Sequence, residues 1–203
     1  MSDSSGYLIP SQAVCVETAI KRSRFIAQIA HVEDKTLAEK FIIRVKMDYP
    51  DARHHCWAYI ACAPNSSSAI RFNDDGEPSG TAGKPILNIL QHSGVGEIIC
   101  VVSRYFGGVK LGAGGLVRAY SNSTKAALEQ LITKEKVQYS YLWLQFDYAE
   151  EAQLRFQLEK LRGEVMQQQY QQQVSFSVRL PTLNFDTFIT LIEKNPLIKV
   201  ICD

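Results

Sequence analysis

Apolar residues recur along the first two thirds of the chain in short runs separated by polar turns, a pattern typical of a mixed α+β domain. A helix is predicted from the capping residue Asp34 to Asp48, because apolar side chains recur there at helical spacing. Two further helices are predicted, one from Pro85 to Gln91 and one that follows a glycine-rich turn and ends near Thr133. Strands are predicted at residues 12–19, 24–32, 54–63, 69–73 and 97–103.

The pattern changes at residues 133–138 (TKEKVQ), a charged segment that we interpret as a linker between two domains, 1–135 and 136–203. In the second domain, Gly163 is predicted to end one helix and Asn184 to cap another. The predicted elements are a strand at 139–147, a helix at 149–161, a hairpin at 165–174 and 175–180, a helix to 194 and a strand at 197–202. The order βαββαβ predicts a ferredoxin-like sandwich. The glutamine-rich stretch MQQQYQQQV is expected on the exposed face of the hairpin.

Composition is that of an ordinary soluble globular protein, and a net charge of +1 excludes a strongly basic nucleic-acid binder. Charge is uneven: residues 1–136 hold 16 basic and 13 acidic residues, whereas residues 137–203 hold 6 and 8. A polyanion is therefore expected to meet a local patch in the first part. Five cysteines without a CxxC pair favour free thiols in a reducing compartment. Neither a signal peptide nor a membrane-spanning segment is predicted, so we expect a cytoplasmic protein that has no membrane partner.

The most distinctive motif, RYFGGVKLGAGGLVRAY from Arg104 to Tyr120, places a glycine-rich turn between an apolar strand and a long helix. A helix N-terminus offers unpaired N–H groups and a partial positive charge, and glycine allows a ligand to approach the backbone. The motif therefore predicts a binding site for a phosphate-type anion. The candidate residues are Arg104, Gly107, Gly108, Lys110, Gly112, Gly114, Gly115 and Arg118, with Lys84 and Arg71 in support.

A structural interpretation of the same motif remains open. The glycines can serve only a tight strand-to-helix crossover, and the arginines can pair with nearby carboxylates instead of a ligand. Neither GxxxxGK followed by Ser or Thr nor GxGxxG occurs in the sequence, so the familiar nucleotide-binding loops are not supported.

The acidic turn at residues 73–79 (NDDGEPS) is a second candidate. Closely spaced carboxylates hold divalent metals or act as acid and base, but the same residue types are those that a tight turn requires. If this turn and the glycine-rich turn share one face, they enclose a small polar cleft. The candidate residues are Asp74, Asp75, Glu77, Ser79 and Thr81. No complete metal site and no cofactor is predicted.

The run His54-His55-Cys56 invites a metal interpretation. Neighbouring residues of a strand point to opposite faces, so His54 and Cys56 share a face and His55 lies on the other. Two ligands are too few for zinc, and a hydrogen-bonded core histidine is the preferred interpretation.

Four segments, EIICVVSRYFGG, VKLGAGGLVRAY, FNDDGEPSGTAGKPIL and HHCWAY, resemble the IMPACT family, in particular its bacterial two-domain branch. The resemblance covers nearly the whole chain. It implies a first domain like domain 2 of ribosomal protein S5 and domain IV of elongation factor G. It also implies a ferredoxin-like second domain resembling domain V of that factor. The eukaryotic members are regulators of translation that act through an additional RWD domain, which this sequence lacks, so that partner is not expected here.

We expect a non-enzymatic regulator or accessory factor of translation that binds RNA or a ribosome-associated partner through the glycine-rich turn, without DNA specificity. One alternative is an enzyme that performs phosphoryl transfer or hydrolysis in a cleft between the acidic and glycine-rich turns. Another is a scaffold that binds a protein through its sheet faces. The sequence carries no indication of oligomeric state.

Overall fold

The computed structural model describes residues 6–64 and 66–201, which divide into two compact units, Tyr7–Lys136 and a second that begins at Val137. Both units are α+β, as predicted. Among these residues, no helix has both the length and the apolar character that crossing a bilayer requires.

The first unit is built on a five-stranded antiparallel sheet of order β2-β3-β6-β4-β5. Its elements are β1 (Tyr7–Pro10), β2 (Val14–Ile20), β3 (Ser23–His31), α1 (Lys35–Asp48), β4 (His54–Ile60), β5 (Ile70–Asn73), α2 (Gly83–His92), β6 (Ile98–Tyr105), α3 (Ala113–Glu129) and β7 (Thr133–Lys136). The predicted helices and strands of this part are all present, with ends shifted by a few residues. Asp34 caps α1 as predicted, since its carboxylate accepts a hydrogen bond from the Leu37 amide at 2.7 Å.

Helices cover both faces of this sheet, which explains the uninterrupted apolar run of β6. Cys100 and Val102 pack toward α2 and α3, whereas Ile99 and Val101 pack toward α1. Every residue of β6 except Tyr105 is buried. A strand with two covered faces needs no polar alternation, and the sequence shows none.

The predicted linker at residues 133–138 is wrong for most of its length. Thr133–Lys136 forms β7, which pairs antiparallel with β1 at Tyr7–Pro10. This two-stranded ribbon joins the beginning and the end of the first unit. Its strands are separated by more than a hundred residues, so the local charge pattern could not reveal the pairing.

The second unit has the order βαββαβ and a four-stranded antiparallel sheet of order β11-β8-β10-β9, which confirms the ferredoxin-like prediction. Its elements are β8 (Tyr139–Phe146), α4 (Glu151–Lys160), β9 (Glu164–Tyr170), β10 (Val174–Pro181), α5 (Thr182–Glu193) and β11 (Ile198–Ile201). Alternate residues of β10 are buried against the helices, and the glutamine-rich strand β9 is exposed as predicted.

Asn184 does not cap a helix, contrary to the prediction. It lies inside α5, which begins after Pro181, and its side-chain amide donates to the Leu161 carbonyl at 2.8 Å. The asparagine therefore ties the start of α5 to the end of α4. Cys202, predicted to end the last strand, lies outside the described residues.

Candidate functional site

The glycine-rich turn connects the end of β6 to the start of α3. Gly107 lies so close to the backbone of Arg22 that a Cβ atom would overlap the Arg22 carbonyl, so a side chain is excluded there. Gly112 caps α3 with φ of 71°, a conformation that favours glycine, and open space surrounds the position its Cβ would take. The turn therefore depends on glycine at two positions for different reasons, as the structural interpretation requires.

The N-terminus of α3 is nevertheless open. Gly112 supplies no side-chain cap, and the first helical hydrogen bond runs from the Leu116 amide to the Gly112 carbonyl at 2.9 Å. Within the described residues, the amides of Ala113, Gly114 and Gly115 donate to no protein acceptor. The first turn of α3 thus presents three free donors and the positive end of the helix dipole.

Arg104, at the end of β6, is buried and paired. Its Nη1 donates to Glu77 Oε1 at 2.6 Å, and the two side chains are 8% and 4% exposed. Its Nε is buried without a hydrogen-bond partner among the residues that the structure describes. The structural interpretation predicted that an arginine of the motif pairs with a nearby carboxylate, and Arg104 does so with Glu77. The pair involves only Nη1 among the nitrogen donors of the guanidinium.

Glu77 also accepts a hydrogen bond from the Tyr120 hydroxyl at 2.8 Å, and Cys56 Sγ lies 3.3 Å from that hydroxyl. Burial raises the pKa of Tyr120, and the neighbouring Cys56 raises it further. Burial likewise raises the pKa of Cys56. Both groups therefore remain neutral at neutral pH, and Glu77 and Arg104 are the ion pair of this hydrogen-bonded group.

The carboxylates of the acidic turn are held by the protein. Asp74 accepts hydrogen bonds from the amides of Gly80, Ala82 and Gly83 at 2.8–3.0 Å, so it caps the start of α2. Asp75 accepts from Lys46 Nζ at 3.0 Å and from the His55 amide at 2.7 Å. Burial acts to raise the pKa of Asp75, but these two donors outweigh it and hold the pKa below its usual range.

These contacts engage the carboxylates of both aspartates within the protein. In the part of the chain that the structure describes, no three His, Cys, Asp or Glu side chains are grouped as metal ligands. Ser79 is exposed, and the buried Thr81 donates its hydroxyl to the Pro78 carbonyl at 2.7 Å.

The acidic and glycine-rich turns do share one face, and a cleft of about 410 Å³ separates them. The cleft is lined by Arg53, His54, Gly76, Glu77, Pro78, Arg104, Phe106, Lys110, Leu111, Gly112, Ala113 and Leu116. Three cations and one carboxylate give this lining a net formal charge of +2 when His54 is neutral. The lining therefore combines cationic and apolar side chains.

The other predicted residues lie outside the cleft lining. Lys84 is exposed on α2, and Arg71 is exposed on β5, where it donates to the Ile70 carbonyl at 2.7 Å. Arg118 is exposed, and its Nη1 lies 3.9 Å from the position that a Cβ of Gly114 would take, so it folds back over the first turn of α3. Gly108 has φ of 83° and borders open space. Arg104, Lys110, Gly112 and Glu77 are thus the predicted residues that the structure brings together at the cleft.

Sequence reasoning missed Arg53, His54 and Phe106. His54 pairs with Arg104 in the β4–β6 register, and its Nδ1 lies 2.8 Å from the Asp75 carbonyl. The buried core histidine is instead His55, whose Nδ1 lies 2.8 Å from Ser103 Oγ and whose pKa is lowered by burial. Only the strand register places His54 at the cleft, and register between distant strands cannot be read from a single sequence.

The fold and cleft define a two-domain α+β protein with a cationic cleft beside a glycine-rich turn in its first domain. The Impact N-terminal domain family matches residues 21–128, and a domain of unknown function, DUF1949, matches residues 144–194. The chain therefore belongs to the IMPACT family, which confirms the resemblance.

Two bacterial relatives illustrate the extent of the similarity. IMPACT family member YigZ of Escherichia coli (strain K12) is 44% identical over 182 residues, which cover 90% of this chain and 89% of that protein. A Haemophilus influenzae IMPACT family member is 42% identical over 90% of this chain and 88% of its own length. Among solved structures, one described as the crystal structure of a hypothetical protein is similar with a TM-score of 0.68, 40% identity and 98% coverage of both chains.

Proposed function

We propose that this chain is a non-enzymatic regulatory or accessory factor of translation that binds RNA or a ribosome-associated partner through phosphate at the cleft of its first unit. The observation that carries the proposal is Arg104, a guanidinium that lines the cleft and, among the described residues, donates a side-chain hydrogen bond only from Nη1 to Glu77. Translation is the setting that the family resemblance implies, because the eukaryotic members regulate it.

The electrostatics of the cleft favour an anion. The net charge of the lining is +2, and the free amides of α3 add the positive end of a helix dipole. A helix end stabilises an adjacent anion by only about 0.3–1 kcal/mol, so specific binding needs the guanidinium as well. The first unit supplies both features at one place.

The experiment that tests the proposal measures RNA binding as a function of salt for the full chain and two variants. Lys110→Ala removes an exposed cation of the cleft, whereas Lys125→Ala removes an exposed cation of α3 that does not line it. Each lost phosphate contact to single-stranded RNA is expected to reduce the slope of log affinity against log salt by about 0.7. The slope should fall in Lys110→Ala and stay unchanged in Lys125→Ala. The proposal would be overturned by RNA affinity that does not change with salt concentration. Equal slopes of log affinity against log salt in the two variants would also overturn it.

One observation favours the enzymatic alternative, phosphoryl transfer or hydrolysis in the same cleft. His54 lines the cleft, and contact of its Nδ1 with a carbonyl leaves Nε2 as a potential base. Asp74 and Asp75, however, are engaged by backbone amides and Lys46, so neither provides a free second acid–base group. Turnover of a phosphate ester with magnesium that is lost in His54→Ala would replace the binding proposal with this alternative.

A further inference from the structure

We infer that the cleft accepts a single nucleotide with a terminal phosphate, its phosphate beside Arg104 and Lys110 and its base against Phe106. The inference rests on the proposed function and names the ligand class of the same site. A free mononucleotide and the phosphorylated end of an RNA strand share this chemistry.

Cationic side chains and backbone amides both favour the phosphate of the ligand at this wall. Arg104 is held in place by Glu77 and retains unused donors, and Lys110 adds an exposed point charge nearby. The amides of the first turn of α3 belong to the same wall, which includes Gly112 and Ala113. The charge of Arg104 is independent of the helix terminus, and both favour a negative oxygen at this wall.

An aromatic ring in the cleft lining, that of Phe106, is available to contact the base of the ligand. Phe106 follows β6 directly and remains 45% exposed, although every residue of β6 except Tyr105 is buried. The Arg104 guanidinium lies over the Phe106 ring, with its carbon 5.7 Å from the ring centre, so the face that is left for a base is the one opposite Arg104. Leu111 and Pro78 continue the apolar lining. When the base of a nucleotide stacks on Phe106, the phosphate of that nucleotide therefore lies near Arg104.

Size and charge restrict the ligand further. A cleft of about 410 Å³ falls within the range of about 300–1,000 Å³ that holds small molecules. The net charge of +2 in the lining balances a terminal phosphate, which carries about −1.5 to −2, better than an internal phosphodiester with a single charge. A terminal nucleotide is thus favoured over a continuous strand.

The test is calorimetric titration of the full chain with a matched set of probes. Adenosine 5′-monophosphate is compared with ribose 5-phosphate, which lacks the base, and with adenosine, which lacks the phosphate. A short RNA with a 5′-phosphate is compared with the same RNA ending in a 5′-hydroxyl. The variants are Phe106→Leu, which keeps an apolar side chain but removes the ring, Lys110→Ala, and Lys125→Ala as the control outside the cleft.

The nucleotide is expected to bind about tenfold or more tightly than ribose 5-phosphate, and Phe106→Leu should abolish that preference while it leaves ribose 5-phosphate binding unchanged. Lys110→Ala should weaken every phosphate-bearing probe, and Lys125→Ala none. Preference for the 5′-phosphorylated RNA over the mononucleotide identifies an RNA end as the source, and tighter binding of the mononucleotide identifies the free nucleotide. Equal binding of nucleotide and ribose 5-phosphate, or of the two RNAs, overturns this inference and leaves phosphate binding intact. Failure of every phosphate-bearing probe to bind overturns both proposals.

Discussion

Replacement of Glu77 by alanine is expected to destabilise the first unit more than any exposed charge removal does. The variant leaves the buried Arg104 guanidinium without its carboxylate partner at 2.6 Å and the Tyr120 hydroxyl without its acceptor at 2.8 Å. Breaking a buried ion pair from one side costs about 3–5 kcal/mol. The lost hydroxyl bond adds about 1 kcal/mol. The summed loss is a large fraction of the free energy of unfolding of a typical domain, which is roughly 5–15 kcal/mol.

Urea denaturation followed by tryptophan fluorescence measures this loss. Each unit contains one tryptophan, so a Trp143→Phe background restricts the signal to Trp57 in β4 of the first unit. With a slope of about 2 kcal/mol per molar urea, a loss of about 4 kcal/mol lowers the midpoint by about 2 M. Glu77→Gln, which keeps an oxygen acceptor, should lower the midpoint less than Glu77→Ala does.

Two comparisons make the prediction refutable. Glu17→Ala breaks the Arg24–Glu17 pair, which has a similar separation of 2.8 Å but is exposed, and it should leave the midpoint nearly unchanged. Added phosphate should raise the midpoint of Glu77→Ala more than that of the parent, because loss of the one carboxylate in the lining raises its net formal charge from +2 to +3. The reasoning fails if Glu77→Ala loses no more stability than Glu17→Ala, or if phosphate stabilises parent and variant equally.

Three further predictions concern the first unit. Glu97 is buried and accepts hydrogen bonds from Tyr7, His31 and Lys136; burial acts to raise its pKa, but these contacts outweigh it and lower the pKa. The parent should therefore be more stable than Glu97→Gln, with the whole difference in the free energy of unfolding present above pH 4.5, the ordinary pKa of a glutamate. That difference should decrease as the pH falls through the lowered pKa of Glu97, and urea denaturation at a series of pH values measures it. Gly107→Ala should prevent folding, judged by circular dichroism, because its Cβ has no room, whereas Gly108→Ala, with φ of 83° in open space, should cost only about 1–2 kcal/mol of backbone strain. In thiol labelling mapped by mass spectrometry, the exposed Cys15 should react in the native protein and Cys100 only after unfolding, because burial raises the pKa of Cys100 to about 12.

The sequence was most informative where structure follows from local chemistry. The helix after Asp34, the apolar strand β6 and the βαββαβ order of the second unit each follow from short-range pattern, capping or element sequence. The glycine-rich turn was recognised for the same reason, since residue type and spacing there indicate a strand-to-helix crossover with an open helix end.

The missed features depend on contacts between distant residues. Asp74 belongs to an acidic turn by sequence, yet only the folded chain places its carboxylate against the amides that begin α2. His54 reaches the cleft because β4 and β6 pair in one register, and a shift of one residue would turn it away. The pairing of β1 with β7 likewise joins the beginning and the end of the unit. Lys134 and Glu135 give β7 a charged sequence that is typical of a linker, so the sequence alone did not predict a strand there.

The Glu77–Arg104 pair supports an anion site at the cleft although it occupies one of the predicted anion-binding residues. A guanidinium has five donors, and Glu77 takes only the one on Nη1, so the pair fixes the position of the group without exhausting its hydrogen bonds. Because Arg104 is already held in one rotamer, a ligand loses less free energy in ordering it than it would with a free surface arginine. The neighbouring Tyr120 and Cys56 stay protonated because burial raises the pKa of each, so no second negative charge develops beside the guanidinium at neutral pH. An arginine positioned in this way suits the phosphate contact that we propose, whereas the exposed Lys84 and Arg71, which the sequence predicts beside it, line no part of the cleft.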